Sequence, residues 1–317
     1  MDTTLGRSGL AVSPIAFGTW QLSGHWGSYD EDVAIAAIRE ARELGVNVFD
    51  TAHAYGWGRA EQILGRALQA DLGRRREDVV IVTKGGLRIS EQGMPYPDSS
   101  REWLRVGIEN SLRALGVDRL DLYLIHAPDP DTPFEDTAAF LLEYVDKGMI
   151  RHVGVSNFDQ KQAAAFAAEL PAEVIQSPYS VFRRDIEDDV IPYAEQNDLG
   201  VMAYSPLANG LLSGSLDAST VLARDDWRSY APMFQGEEYR RALAAVDRLS
   251  AHAREEFGVP VARLATAWAL THPAVDTVIV GLRSPGHVRE AVAAAELRLG
   301  PAERDAIARL VAPSENG

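Results

Sequence analysis

The sequence predicts an α/β protein, a (β/α)8 TIM barrel, and three observations lead there. Eight short, almost unbroken apolar runs of strand length recur along the 317 residues, as parallel strands buried on both faces require. Longer stretches with helical periodicity fill the gaps between them. The competing doubly wound open sheet usually carries G-x-G-x-x-G after its first strand, and here the nearest match, Gly56-Trp57-Gly58, lacks the third glycine.

Taken in order, the chain opens with a hairpin, Thr3–Leu5 and Leu10–Val12 around the turn Gly6-Arg7-Ser8-Gly9. The strands are then expected at Ile15–Phe17, Asn47–Asp50, Val79–Lys84, Asp121–His126, His152–Asn157, Glu173–Ser177, Gly200–Ser205 and Val275–Val280. Helices are expected at Glu31–Leu44, Ala60–Gln69, Ser99–Leu115, Phe134–Lys147, Asp159–Glu169, Ile186–Asn197, Glu237–Phe257, Val261–Thr271, Pro285–Glu296 and Pro301–Val311. Gly45, Gly116 and Gly148 supply the stop that helix C-termini favour. A barrel of this type takes about 250 residues, which leaves the hairpin and extra helices near the C-terminus as additions. No linker or low-complexity segment interrupts the pattern, so residues 1–317 read as a single barrel domain. Leu207–Gly236 is long and irregular, and segments of that kind inside a compact domain are usually functional.

The share of hydrophobic residues, 46%, against 24% charged is that of a soluble globular protein. Cysteine is absent, which excludes disulfides, thiolate metal sites and cysteine nucleophiles. A net charge of −15 argues against nucleic acid and anionic membranes as partners. No apolar run approaches the roughly 18 residues of a membrane span, and Met1–Val12 does not read as a secretory signal. A cytoplasmic location is expected. Of the 31 basic residues only Lys84, Lys147 and Lys161 are lysines, so the place of each matters.

In a parallel barrel the reactive groups sit at the C-terminal strand ends and in the loops that follow. Asp50 ends the second strand and is followed by Thr51-Ala52-His53-Ala54-Tyr55; Lys84 ends the third and His126 the fourth. A charge that closes an apolar strand is costly unless paired or functional, and a structural Asp50–Lys84 ion pair is the plain alternative. Together with Tyr55 and His126 these residues have a chemical logic. Hydride addition to a carbonyl leaves an alkoxide that needs a proton, which a tyrosine hydroxyl can give. A nearby Lys should lower the Tyr pKa from its usual value near 10, an Asp would hold that Lys charged, and a neutral His can orient the carbonyl oxygen.

Five motifs carry a resemblance. Phe49-Asp50-Thr51-Ala52-x-x-Tyr55-Gly56, Val82-Thr83-Lys84 and Leu122-Tyr123-Leu124-Ile125-His126 resemble the catalytic motifs of the aldo-keto reductases. Gly154-Val155-Ser156-Asn157-Phe158 and Ala203-Tyr204-Ser205-Pro206-Leu207 resemble that family's cofactor motifs. The resemblance implies an NADP-dependent oxidoreductase that reduces aldehydes or ketones, with Asp50, Tyr55, Lys84 and His126 as its catalytic set. NADPH/NADP+, in preference to NADH, would lie across the barrel mouth. Ser156, Asn157 and Gln176 would bind its carboxamide and Tyr204 would stack on the nicotinamide. Thr19, Trp20, Ser205, Pro206, Leu207, Gly210 and Gly281 would line the rest of its path. The plain readings remain a helix cap for Ser156-Asn157, core packing for Tyr204 and backbone satisfaction for Gln176. Arg283 and Ser284, just before a helix start, suit a 2′-phosphate through bidentate donors and the positive helix end. His287 and Glu290 resemble the adenine-side contacts; Ala291 stands where the family often has Asn.

On the substrate side Trp20, Trp26, Tyr29 and Trp57 would suit an apolar or aromatic carbonyl compound, although each could equally be a packing residue. The resemblance implies an open, permissive pocket, since family members with long C-terminal tails use them to narrow substrate choice and the stretch after the last helix here is short; part of Leu207–Gly236 is expected to fold over the cofactor. The resemblance implies a monomer or weak homodimer. Two other functions compete. A metal-dependent hydrolase could use His53, His126 and Asp50, but no H-x-H or H-x-x-E-H pair is present, and no metal is expected. A nicotinamide-binding redox sensor with slow turnover would retain the same four residues.

Overall fold

A computed structural model describes residues 3–90 and 94–312. Eight parallel strands close into a barrel. They are β1 (Ile15–Gly18), β2 (Val48–Asp50), β3 (Val80–Gly85), β4 (Leu120–Ile125), β5 (Ile150–Ser156), β6 (Val174–Pro178), β7 (Gly200–Tyr204) and β8 (Thr277–Gly281). Each strand pairs with its neighbours in sequence, and β8 closes onto β1 with Gly281 opposite Gly18. The helices are α1 (Glu31–Glu43), α2 (Arg59–Ala67), α3 (Gln69–Arg74), α4 (Arg101–Leu115), α5 (Phe134–Asp146), α6 (Gln160–Glu169) and α7 (Val190–Asn197), followed by α8 (Gly236–Phe257), α9 (Val261–Leu270), α10 (Pro285–Ala294) and α11 (Pro301–Val311).

The two-residue period of the strands divides the apolar side chains into two cores. Ala16, Val48, Val82, Leu122, Leu124, Val174, Met202 and Ile279 fill the barrel, while Phe17, Phe49, Ile81, Tyr123, Val155, Ile175 and Val280 face the helices. The N-terminal hairpin, Thr3–Thr4 against Ala11–Val12, brings Leu5, Leu10 and Val12 into the inner core and plugs the bottom. That leaves the top, where the strands end, for chemistry.

The sequence-based boundaries differ from the structure in informative places. The expected helix Ala60–Gln69 is two, α2 and α3, because Leu68 at their junction leaves the helical ψ range. The helix expected from Ser99 starts at Arg101, since the Ser100 side chain accepts from Trp103 N and caps it. Asp185–Glu187 forms a separate short turn before α7. A small antiparallel hairpin, Leu87–Ile89 with Pro95–Pro97, follows β3, in a stretch whose two prolines hid its strand character. The long segment after β7 carries three short 3-10 turns, Ala208–Ser213, Trp227–Tyr230 and Pro232–Phe234. Among the described residues no helix is long and apolar enough to cross a membrane.

Candidate active site

Asp50 pairs across the sheet with Val82, and Lys84 lies two residues further along β3 on the same inward face. Both side chains are therefore at the top of the barrel interior, and both are almost fully buried. Lys84 Nζ donates to Asp50 Oδ1 at 2.7 Å, Oδ2 at 2.8 Å and the Thr51 carbonyl at 2.9 Å. Gln176, on β6, adds a fourth bond by donating from Nε2 to Asp50 Oδ2 at 2.8 Å. Thr83, facing outward between them, donates to the buried Glu61 of α2 at 2.7 Å.

Tyr55 follows β2 in a turn held by Tyr55 N to Ala52 O at 3.0 Å. The turn depends on Gly56: its φ is +62°, and a Cβ there would fall 2.8 Å from the Ser23 carbonyl oxygen. Lys84 Nζ is 5.1 Å from the Tyr55 ring centre. The His126 ring meets Tyr55 edge-on with centroids 5.7 Å apart, and Trp20 stacks on it from the other side at 6.4 Å.

The electrostatics depart from one expectation. Lys84 was expected to pull the Tyr55 pKa down, but burial, followed by the Asp50 carboxylate and Tyr204, holds it well above its usual value. The physical reason is that the Lys84 charge is already committed to Asp50. Tyr55 is thus a firmly protonated phenol. Burial lowers the Lys84 pKa as well, against the opposing pull of Asp50. His126 is pushed down to about 3 by burial and by the Lys84 cation, so its imidazole is neutral. Its Nδ1 is buried without a hydrogen-bond partner among the described residues.

These groups floor a cavity of about 610 Å³. Trp20, Trp57, Ser156, Asn157, Gln176 and Tyr204 also line it, as expected of a site at this end of the barrel. Asn157 has a left-handed backbone, φ +63°, and its amide donates to the His126 carbonyl at 2.8 Å and accepts from Tyr204 OH at 2.7 Å. Burial raises the Tyr204 pKa to about 12. A second cavity, of about 360 Å³, adjoins the first; Pro206, Leu207, Gly210, Arg283, His287 and Glu290 line it. Ser205, Gln21 and Gly281 line both and form the neck between them.

Six of the expected site residues lie elsewhere or are engaged with other partners. Trp26 lines the second cavity rather than the first. The Tyr29 hydroxyl donates to the Leu22 carbonyl at 2.8 Å, and Tyr29 lines neither cavity. Thr19 is buried with its hydroxyl on the Asp50 carbonyl at 3.0 Å. Ser284 caps α10 by accepting from His287 N at 3.4 Å. Glu290 reaches the second cavity while paired with Arg263 at 2.9 Å. Arg283 donates to the Trp26 carbonyl at 3.1 Å and makes no ion pair among the described residues.

Gln21 and Arg228 had escaped the sequence reading, and Trp227 was foreseen only as part of the irregular segment Leu207–Gly236. Gln21 fills the neck: a Cβ on Gly281 would fall 1.9 Å from its Nε2, and its Oε1 is buried without a partner among the described residues. Its place directly after Thr19-Trp20 at the end of β1 was the available signal. Trp227 stacks on Trp20 with centroids 5.6 Å apart. It belongs to a strap tied across the mouth by Trp227 N to His25 O at 3.0 Å and by a bridge between Trp26 and Asp226. Arg228 fixes that strap through Asp226 at 2.6 Å and the Asn209 carbonyl at 3.3 Å. Among the described residues no group of three or more His, Asp or Glu is placed to hold a metal.

Comparison with known proteins follows the same lines. The model of the Aldo/keto reductase family matches residues 14–312. The chain is 37% identical over 287 residues to aldo-keto reductase YhdN of Bacillus subtilis, covering 90% of this chain and 86% of that protein. It is 31% identical to the NADH-specific methylglyoxal reductase of Escherichia coli, over 94% of each. The glycerol dehydrogenase AKR11B4 of Gluconobacter oxydans superposes with a TM-score of 0.85 at 34% identity, covering 97% of this chain and 95% of that one. With a closed eight-stranded barrel, these four residues gathered at its top and a family match over nearly its whole length, the chain belongs to the aldo/keto reductase family.

Proposed function

We propose that this chain, acting as one domain, reduces aldehydes and ketones to alcohols with NADPH, and that Tyr55 is the general acid. The observation that carries the reading is Tyr55 on the cavity floor, flanked by the buried Asp50–Lys84 pair and by the His126 ring.

The residues present fit a nicotinamide dinucleotide. Two cavities joined by a neck match an extended two-ended ligand. The neck and its flank have left-handed backbone at Ser205, Ala208, Asn209 and Gly210, a conformation in which successive backbone amides can form an anion-binding concavity. Ser156, Asn157, Gln176 and Tyr204 would hold the nicotinamide end, and Arg283, His287 and Glu290 would hold the adenosine end. When bound, the reduced cofactor supplies a hydride to the carbonyl carbon.

The protein's part is positioning and proton supply. Tyr55 OH gives its proton to the carbonyl oxygen as negative charge develops there. His126 donates a second hydrogen bond to the same oxygen and, being neutral, takes no proton from Tyr55. Lys84 steadies the phenolate left behind, and Asp50 with Gln176 keeps that ammonium charged and in place. The aromatic wall of Trp20 and Trp227 excludes water from these steps.

NADPH is preferred over NADH because Arg283 is half-buried and free of any ion pair among the described residues. One relative is an NADH-specific methylglyoxal reductase, so NADH is the alternative that the measurement has to exclude. The test is to titrate tryptophan fluorescence with NADPH and NADH and then measure oxidation of the bound cofactor by a reactive aldehyde. Tight binding with multiple turnovers supports the reductase. Rapid hydride transfer in one turnover and negligible turnover thereafter would point to the sensor instead, and no binding of either cofactor would overturn both.

A further inference from the structure

The turn that carries Tyr55 and the strand that carries Lys84 are joined at two points. One is a backbone bond, His53 N to the Lys84 carbonyl at 3.0 Å. The other runs through side chains. The start of α2 grips the Tyr55 turn: Gly58 N donates to the His53 carbonyl at 3.0 Å, Arg59 N to the Gly56 carbonyl at 3.1 Å and Ala60 N to the Tyr55 carbonyl at 3.2 Å. The next residue, Glu61, accepts at Oε1 from the Thr83 hydroxyl at 2.7 Å, and Thr83 immediately precedes Lys84 on β3. Covalent and hydrogen bonds thus close a circuit, from Tyr55 through Ala60, Glu61 and Thr83 to Lys84, and back through His53.

No step of the reaction uses this carboxyl. Glu61 and Thr83 are fully buried, and they line neither cavity. A carboxyl closed off from water is destabilising unless partners compensate, and an apolar residue would pack α2 against β3 without that cost. Burial accordingly raises the Glu61 pKa, against the pull of Ser111, Thr83 and Lys84. What the carboxyl adds is direction. A buried hydrogen bond has a narrow range of length and angle, so it fixes α2 on β3 in one position, where apolar packing tolerates small shifts.

We propose that Glu61 is a positioning residue: by holding Thr83 it sets the separation of Tyr55 and Lys84, on which steadying of the phenolate depends. The inference rests on the reductase reading and adds a residue to it. Lys84 Nζ stands 5.1 Å from the Tyr55 ring centre, and its hydrogen bonds go to Asp50 and the Thr51 carbonyl. Those bonds hold the ammonium but not α2. Without the Glu61–Thr83 bond, α2 and the Tyr55 turn shift against β3, and the acid moves relative to the cation that meets its developing charge. A displacement of about 1 Å at a reacting centre costs on the order of a hundredfold in rate.

Three variants separate position from charge and from folding. Glu61→Gln keeps an oxygen for the Thr83 hydroxyl, Glu61→Met fills the space without one, and Thr83→Val removes the donor but leaves the carboxyl. With the full chain, saturating cofactor and a reactive aldehyde, kcat should fall about tenfold to a hundredfold in Glu61→Met and Thr83→Val, and Glu61→Gln should recover most of it. Cofactor affinity and the number of cofactor sites per chain, read from tryptophan fluorescence, should stay within about twofold of the parent protein, which a loss of folded protein would not allow. A readout apart from turnover comes from the lysines, since the chain has only Lys84, Lys147 and Lys161. In protein carrying lysine labelled with the heavy nitrogen isotope, the Lys84 NMR signal is identified by its loss in Lys84→Met. It should move in Glu61→Met and Thr83→Val and hold its place in Glu61→Gln, while the other two stay fixed. Activity lost equally in Glu61→Gln and Glu61→Met would assign the effect to the charge of Glu61 and overturn the proposal. A Lys84 signal unmoved in Thr83→Val would overturn it as well. If Glu61→Met does not fold, Thr83→Val and Glu61→Gln decide between these outcomes. If no aldehyde reacts with the parent protein, the reductase reading falls, and the Lys84 signal then tests the positioning by itself.

Discussion

Lys84 Nζ lies 2.7 Å and 2.8 Å from the two carboxylate oxygens of Asp50, closer than any contact it makes with Tyr55, whose ring centre is 5.1 Å away. The cation is therefore spent on Asp50 while Tyr55 is neutral. Its effect on Tyr55 grows as the phenolate forms, which is stabilisation of the transition state in preference to the ground state. An arrangement that merely lowered the Tyr55 pKa would deprotonate the acid before the carbonyl arrived.

Tyr55→Phe removes the proton donor and keeps the ring between Trp20 and His126. Reduction of a reactive aldehyde should fall by roughly a hundredfold to ten-thousandfold, the usual worth of a positioned general acid. Cofactor affinity, followed by fluorescence, should stay within about twofold, because the hydroxyl bonds none of the expected nicotinamide contacts. Turnover equal to the parent protein would remove Tyr55 from the mechanism.

The pH dependence follows from two shifts of opposite sign. His126, lowered to about 3, is neutral at every pH above that, and Tyr55, raised above its usual value near 10, is protonated throughout the neutral range. The working form, neutral imidazole with protonated phenol, is thus the resident form across this interval. With cofactor saturating, kcat/KM for an uncharged aldehyde should be flat between pH 5 and about 9. A limb near pH 6.5 would assign catalysis to a histidine with an ordinary pKa and contradict the burial of His126.

How much of this was legible beforehand depended on whether local pattern or tertiary contact decided it. Asp50, Lys84 and His126 were readable because each ends an apolar run, and a polar residue there stands out against the strand period. Leu87–Ile89 and Pro95–Pro97 were not readable as strands, since a two-stranded hairpin of three residues a side has little pattern and contains prolines. Trp227 and Arg228 owe their positions to a strap that joins residues some 200 apart in sequence, His25 to Trp227 and Trp26 to Asp226, which no local window contains. Tyr29 and Trp26 illustrate the reverse. Their residue type suited a pocket wall, but a hydrogen bond to Leu22 and contact with the strap turn them elsewhere.

Arg283 is the residue on which the choice of cofactor turns. It is half-buried, and both burial and the like charge of Arg228 weigh on its guanidinium, so a bound anion would relieve it. Arg283→Ala should weaken NADPH by about tenfold to a hundredfold, the range for a hydrogen-bonded charged partner, and NADH by less than about threefold. Equal losses for the two cofactors would place the 2′-phosphate elsewhere, and a preference for NADH in the parent protein would make Arg283 a structural brace for the Trp26 carbonyl.

A last prediction concerns stability at the other end of the barrel. Asp276 accepts from Val201 N at 2.9 Å beneath β7 and β8. Burial, aided by the Asp198 carboxylate, raises its pKa to about 6 against the opposing bonds from Val201 and Gly6. An unfolded aspartic acid titrates near 3.9, so the folded state holds the proton more tightly. The contribution to stability is therefore fully present below about pH 4 and is lost as pH rises through about 6. Asp276→Asn carries no charge at any pH, so its stability relative to the parent should increase between pH 4 and pH 7 and then level off. Two pKa units correspond to about 3 kcal/mol, and partial solvent contact reduces the expected change to about 1–2 kcal/mol, a shift of a few degrees in Tm. Thermal melts of both proteins at pH 4, 5, 6 and 7 measure it directly. A difference that does not change with pH would mean that Asp276 ionises alike in the folded and unfolded chain, and that its bond to Val201 offsets its burial.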